Sequence, residues 1–333
     1  MKNITMSKFI YTKDKPLRVC TLCSGYDSQC MALDLEGIPY ELVAWSEIDK
    51  YACQAHDAVY PQYEGRNVGD MTKVDWGGQP DFDLLTYSTP CQDISTAGKQ
   101  AGLIEGSDTR SSIIWYTKYA IQQKKPKYLL GENVKNLVGK NHRGEYFRWL
   151  QFLESEGYTN YYTIINAKDQ GIPQNRERVF TFSVHGDHDI FHFPASIPLE
   201  LRLKDILEEE VDDKYVLSET AIQGFLKHNE NHKAKGTGFL WIPKDVETTG
   251  GQIANCLSAR QFKCGATDNY IKEFRGGNPS LTVSEELVLS AQRTIPLEKS
   301  DVANCLRARA SLNATDNTIL EHGKDCDSTQ PDA

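Results

Sequence analysis

Three kinds of residue in this chain stand where apolar runs give out, and their types suit covalent and acid-base chemistry. Cys91 follows Pro90 at the end of Asp83-Leu84-Leu85-Thr86-Tyr87-Ser88-Thr89. A cysteine held at such an exit can act as a nucleophile through its thiolate. Glu132 follows the apolar run Tyr128-Leu129-Leu130-Gly131. A carboxyl partly withdrawn from water there can hold a proton and give it to a ring nitrogen. Arg176 and Arg178, in Gln174-Asn175-Arg176-Glu177-Arg178, fall on the same side of an extended segment because strand side chains alternate. Each also has a plainer reading. A free cysteine is usually a small buried hydrophobe, and a strand-end glutamate can be a helix cap or an ion-pair partner.

The elements that must position these groups follow from the patterning. Leu84 and Leu85 after Phe82 predict a buried strand, and Pro90 stiffens its exit and pushes Thr89 toward an extended conformation. Cys91 then sits at the carboxyl edge of a sheet, where open α/β folds bind ligands. A first strand over 17–23 is followed by the turn Ser24-Gly25-Tyr26-Asp27-Ser28-Gln29 and a helix from Cys30, an arrangement that lets the backbone approach a cofactor closely. A second strand, 42–47, ends in Glu47, whose carboxylate can accept both ribose hydroxyls of a nucleoside, with Ile48 able to cover one face of its base. Helices are predicted over 112–122, capped by Asp108, and over 146–157. The strand from Tyr128 is expected to end at Glu132, and a further strand covers 181–184.

At 333 residues, with 39% hydrophobic and 25% charged content, the chain suits one large α/β domain and a smaller one. No apolar stretch reaches membrane-spanning length and residues 1–15 lack a signal-peptide core, so an intracellular, cytoplasmic protein without membrane contact is expected. Nine scattered cysteines suit a reducing compartment. Cys20 and Cys23 have C-x-x-C spacing but lie in a strand-like run without a second pair or a histidine at ligand spacing, so no metal site is expected. The net charge of −9 weighs against a nucleic-acid partner unless a basic cleft is set apart from acidic runs such as Glu208-Glu209-Glu210.

Pro90-Cys91-Gln92, Glu132-Asn133-Val134 and Gln174-Asn175-Arg176-Glu177-Arg178, in that order and at compatible spacing, together resemble the C5-cytosine DNA methyltransferase family. The resemblance implies a Rossmann-like, doubly wound methyltransferase sheet with a smaller, irregular β-rich target-recognition region. It implies transfer of a methyl group from S-adenosyl-L-methionine to C5 of a cytosine flipped out of double-stranded DNA, through a covalent Cys91 adduct at C6. Glu132 would protonate N3 and Arg178, the second arginine of the family's Q-x-R-x-R pattern, would hold the cytosine carbonyl oxygen, with Gln174 and Arg176 completing the pattern. Ser24, Gly25, Tyr26, Glu47, Ile48, Asp70 and Pro90 are the implied cofactor contacts, Asp70 accepting from the adenine amino group. The family's F-x-G-x-G-G pattern keeps only Gly25 here, with Asp27 and Ser28 in place of the other two glycines. The loop after Cys91 would close over DNA, with Ser95 and Lys99 near phosphates.

The resemblance is strong over 17–184, weak to about 210 and poor beyond. Residues 1–190 are expected to form the catalytic domain, 191–323 the target-recognition region and 324–333 a polar tail. Within that region 253–271 recurs as 302–319, each copy bringing an arginine, Arg260 and Arg309, as a DNA contact or as part of a packed hairpin. The family's closing R-x-L-T and G-N-S segments have at most a faint echo at 280–286. Either the chain is a minimal enzyme or a second polypeptide supplies those motifs. The rival readings are a non-catalytic relative of the same fold and an RNA cytosine-5 methyltransferase. A zinc deaminase is set aside because Pro90-Cys91 has no second cysteine at the required spacing.

Overall fold

The computed structural model describes residues 11–91, 94, 102–107, 109–207, 217–236, 240–244 and 251–255. Along the chain these form β1 (Leu17–Leu22), α1 (Ser28–Leu35), β2 (Tyr40–Ser46), α2 (Lys50–Val59), β3 (Leu84–Tyr87), α3 (Thr117–Lys124) and β4 (Tyr128–Val134). There follow α4 (Arg143–Ser155), β5 (Tyr158–Asn166), β6 (Gln174–Asn175), β7 (Glu177–His185), α5 (Glu219–Lys235) and β8 (Ala254–Asn255). The described residues fall into two compact units, one holding the chain up to Ile165 with Glu177–Ala195, the other Asn166–Arg176 and the chain from Ser196.

Alternation along the strands builds the first unit. Leu17 and Val19 of β1 belong to one apolar cluster and Cys20 and Leu22 to another, and Leu84 and Leu85 of β3 and Leu130 and Leu129 of β4 divide in the same way. A sheet apolar on both faces must be covered on both. Cys30 of α1 and Cys53 of α2 pack into one cluster, while Ala120 and Ile121 of α3 and Trp149, Leu150 and Leu153 of α4 pack into the other. Strand order is β2-β1-β3-β4-β7-β5. β2, β1, β3 and β4 run parallel to their neighbours, and β7 lies antiparallel to β4. The order of succession reverses at β1, with β2 on one side of it and β3 on the other, so the carboxyl ends of β1 and β3 flank the switch point where such sheets bind ligands.

Several boundaries differ from the sequence expectation by a few residues, and two of these differences bear on the site. β4 does not stop at Glu132 but continues to Val134, because Glu132, Asn133 and Val134 pair with Phe180, Val179 and Arg178 of β7. The predicted helix over 112–122 begins as a 3-10 turn, Arg110–Tyr116, capped by the Thr109 side chain, before α3 takes over. Asp108 lies outside the described residues.

In the second unit β6 and β8 pair in parallel, Gln174 with Ala254 and Asn175 with Asn255. Asn166 orders the approach to β6, its side chain accepting from the Arg176 amide and donating to Asn175. α5 is capped by Ser218. Asn229 of that helix makes two hydrogen bonds of 2.7 Å with the backbone of Trp241. Of the first repeat only 253–255, which include β8, are described; the rest of it with Arg260, and the second repeat with Arg309, lie outside the described residues, as do Ser95 and Lys99.

Candidate active site

Cys91 leaves the carboxyl end of β3 through a turn fixed on three sides. Ser88 donates its amide to the Leu22 carbonyl at 3.3 Å. The buried Ser111 hydroxyl donates to the Pro90 carbonyl at 2.9 Å. The Asn133 side chain donates to the Thr89 carbonyl at 3.0 Å and to its hydroxyl at 3.3 Å. These bonds come from β1, the 3-10 turn and β4, so the turn has little freedom before any substrate arrives. Cys91 itself is half-buried against the large apolar cluster.

The other described thiols are poorly suited to attack. Burial, then the charge of Asp27, pushes Cys20 and Cys30 up, and burial followed by Glu47 pushes Cys23 up to about 12. Burial also raises Cys53. A thiol kept protonated is a weak nucleophile.

Glu132 and Arg178 meet on adjoining antiparallel strands. Glu132 opposes Phe180, and Arg178 lies two residues along on the same face, its Nε 3.1 Å from Glu132 Oε1. The side chains are 26% and 16% exposed, enough shelter to strengthen the pair and enough opening to admit a ligand. A guanidinium donor and a carboxyl side by side can address two adjacent polar atoms on a planar ring. Behind them a small cavity is lined by Thr89, Glu132, Tyr146 and Thr181 among others, and the last two share a hydrogen bond of 2.8 Å. Gln174 and Arg176 belong to the second unit, on and just after β6.

The expected cofactor residues gather around the carboxyl ends of β1 and β2. Glu47 follows β2, and its carboxylate accepts from the amides of Gly25 (3.0 Å), Ile48 (2.8 Å) and Asp49 (2.9 Å). Ile48 beside it is 74% exposed, an apolar side chain with no protein covering it. Gly25 has φ +59° with open space where a side chain would stand, as close backbone approach to a ligand requires. Val68 donates to the Trp45 carbonyl, which carries Asp70 alongside the end of β2. Asp70 pairs with Lys73 at 2.9 Å and accepts from the amide and hydroxyl of Thr72. Ser24 is buried and Tyr26 half exposed in the same turn.

Sequence reasoning passed over Ser111 and the role of Asn133, which hold the Cys91 turn. Their only signal was position, Asn133 next to Glu132 and Ser111 at the start of a helix. No helix of the described residues is long and apolar enough to cross a membrane, and no cluster of three or more metal-ligating side chains occurs among them.

The doubly wound sheet carries the Cys91 turn at its carboxyl edge, with the carboxylates Glu47 and Asp70 beside the end of β2, an arrangement of Rossmann-like form. The family description of the C-5 cytosine-specific DNA methylase matches residues 17–301. Type II methyltransferase M2.ScrFI of Lactococcus lactis subsp. cremoris is 38% identical over 278 residues, covering 66% of this chain and 77% of the relative. Type II methyltransferase M.NlaX of Neisseria lactamica is 36% identical over 236 residues, covering 70% and 72%. In fold the chain is similar to the S. pombe Dnmt2 methyltransferase, with a TM-score of 0.60 at 20% identity over 79% of this chain and 78% of that one. The Entamoeba histolytica methyltransferase EhMeth has a TM-score of 0.61 at 16% identity over 81% and 80%. The chain belongs to the C-5 cytosine-specific DNA methylase family, and it is a DNA cytosine-5 methyltransferase.

Proposed function

We propose that the enzyme methylates C5 of a cytosine in duplex DNA through a covalent adduct of Cys91 at C6, with Glu132 and Arg178 holding the base. The observation that carries the reading is the 3.1 Å Glu132–Arg178 pair, on a strand tied by Asn133 to the Cys91 turn. Cytosine presents its O2 and N3 as neighbours on one edge, matching a guanidinium donor beside a carboxyl. C5 is a poor nucleophile until C6 is attacked. The Cys91 sulfur bonds to C6, the C5–C6 double bond opens and its electrons gather at C5 as an enamine. Glu132 offers a proton at N3 and Arg178 donates to O2, spreading the charge that develops. After methylation the C5 proton leaves, the double bond re-forms and Cys91 is expelled. The reacting carbons are unreachable inside a duplex, so the cytosine must leave the stack.

S-adenosylmethionine, when bound, supplies a methyl group on a sulfonium to C5. The residues at the ends of β1 and β2 fit it. Glu47 and Asp70 are acceptors for hydroxyl and amino donors, Ile48 offers an uncovered apolar face, and Gly25 leaves room at the backbone. Ser24, Tyr26 and Pro90 complete the lining, and Gln174 and Arg176 are read as the rest of the sequence pattern that ends in Arg178. Residues 1–190 are read as the catalytic domain, and the chain from 191 to 323 as the part that chooses the DNA sequence. A restriction-modification role agrees with the type II names of the relatives. Such work belongs in the cytoplasm of a bacterium or a phage-infected cell.

The test is transfer of labelled methyl from S-adenosylmethionine by the 333-residue chain to mixed-sequence duplex DNA, with RNA alongside. Label on cytosine C5 of DNA alone supports the reading. Label on RNA alone, or transfer only when a second polypeptide is added, contradicts it.

A further inference from the structure

The turn between β1 and α1 holds a buried aspartate–histidine contact that the reaction itself does not use. Asp27 stands at the N-cap position of α1 with φ +68°, in the left-handed region, yet its side chain does not cap the helix. The carboxylate turns inward instead. Its Oδ2 accepts from the Thr21 hydroxyl of β1 at 2.8 Å and lies 3.5 Å from Nε2 of His56 on α2. Both side chains are 0% exposed. The His56 ring stacks on Trp45 of β2 at 3.7 Å between centroids, and its Nδ1 lies 3.6 Å from Asp57. Asp27 Oδ1 and both ring nitrogens make no hydrogen bond.

This arrangement is costly for the fold alone. An Asp27 oxygen and two imidazole nitrogens buried without hydrogen bonds cost desolvation energy. Cys23, with φ +52°, adds a second non-glycine left-handed residue to the same short turn. Strain of this kind persists only where surrounding contacts over-determine the backbone. What those contacts fix is the relation between two loops. Asp27 closes the turn that presents Ser24, Gly25 and Tyr26, and His56 rides on the helix that starts directly after Glu47 and Ile48. The amide of Gly25 reaches Glu47 at 3.0 Å, so the two loops touch at the rim while Asp27 and His56 join them beneath.

We propose that Asp27 and His56 are positioning residues for S-adenosylmethionine, locking the β1 turn against the β2 loop so that the cofactor meets a preformed cradle. The assignment rests on the reading of that cradle as the cofactor site. Neither residue touches the cofactor. Their effect is on its affinity, and the cysteine chemistry is untouched once the cofactor is bound.

The test is calorimetric titration of S-adenosylhomocysteine, the methyl-free form of the cofactor, into the full chain and its variants at a temperature where circular dichroism shows them folded. Asp27→Gly can adopt φ +68° without strain but has no carboxylate. Asp27→Asn keeps the acceptor for Thr21 and drops the charge. His56→Phe keeps the stack on Trp45 and drops the nitrogens. Asp27→Gly and His56→Phe are expected to weaken binding about tenfold, Asp27→Asn less, with KM for the cofactor rising in parallel and kcat and KM for DNA unchanged within about twofold. Asp27→Asn/His56→Phe buries no unpaired charge, so it serves as the binding variant should the single ones not fold, and weakened binding is expected there too. Wild-type affinity in these variants, whatever their stability, overturns the proposal and leaves the cofactor site standing. Failure of the wild-type chain itself to bind overturns the reading of the site and the proposal with it.

Discussion

Asn133 of β4 donates its side-chain amide to the carbonyl and the hydroxyl of Thr89, at 3.0 and 3.3 Å, in a buried setting. One side chain therefore ties the strand carrying Glu132 to the turn carrying Cys91. Acid and nucleophile sit on separate elements, and their mutual placement depends on such a tie.

Asn133→Ala leaves the Thr89 groups buried without that donor, at a cost of about 1–3 kcal/mol. Chemical denaturation should show a loss in that range, and kcat should fall by at least about tenfold while KM for S-adenosylmethionine holds. A variant with reduced stability and full kcat would show that the tie is structural only.

Glu132 and Arg178 should be energetically coupled before substrate binds. A double-mutant cycle with Glu132→Gln and Arg178→Gln, read by urea unfolding of the free enzyme, should give a coupling of roughly 0.5–3 kcal/mol for a pair so little exposed. Each single variant should also lose most methyl transfer, since the same groups are assigned to the base. Additive unfolding energies would mean that the pair does not form in solution.

Gly131 precedes Glu132 and opposes Tyr87 in the parallel register. A Cβ there would lie 2.6 to 2.8 Å from atoms of the Tyr87 ring. That ring cannot retreat, being buried, set edge-on against Trp149 and accepting from its indole nitrogen at 3.2 Å. Gly131→Ala should therefore destabilise by about 1–3 kcal/mol through overpacking. Unchanged thermal stability would show that β3 and β4 part more easily than this packing implies.

Asp70 should carry a small acid-side dependence. The Lys73 ammonium, then the Thr72 hydroxyl and amide, hold its carboxyl below the ordinary value of 3.8. A depressed carboxylate stabilises the fold above the unfolded value, and the contribution is lost as pH falls through the folded one. Asp70→Asn should thus cost under about 1 kcal/mol at neutral pH, because Lys73 is largely exposed and salt screens the pair. Its stability should also fall less steeply than wild type below about pH 4. Parallel acid limbs for the two proteins would rule the ion pair out.

What was legible in the sequence is what local pattern carries. Apolar runs leading into Pro90-Cys91 and Glu132 mark strands, and the doubly wound sheet was implied by the family resemblance, while the order of the strands is seen only in the structure. Glu47 at the end of β2 was visible from such a run too. The extension of β4 to Val134 was not, because it depends on pairing with β7, more than forty residues on. Nor was the inward turn of Asp27, whose partner His56 lies on α2, beyond the next strand in the chain. The Thr109 cap is set by the geometry of the turn, which local sequence pattern does not decide.

The central claim is the covalent bond between Cys91 and a cytosine of DNA. The most direct measurement incubates the enzyme and S-adenosylmethionine with duplex DNA whose cytosines carry fluorine at C5, which cannot leave as a proton after methylation. The account predicts a protein–DNA complex that survives denaturation, with the modified peptide containing Cys91, and none with Cys91→Ala. Methylated ordinary DNA without any trapped complex, or a complex joined through another residue, would contradict it.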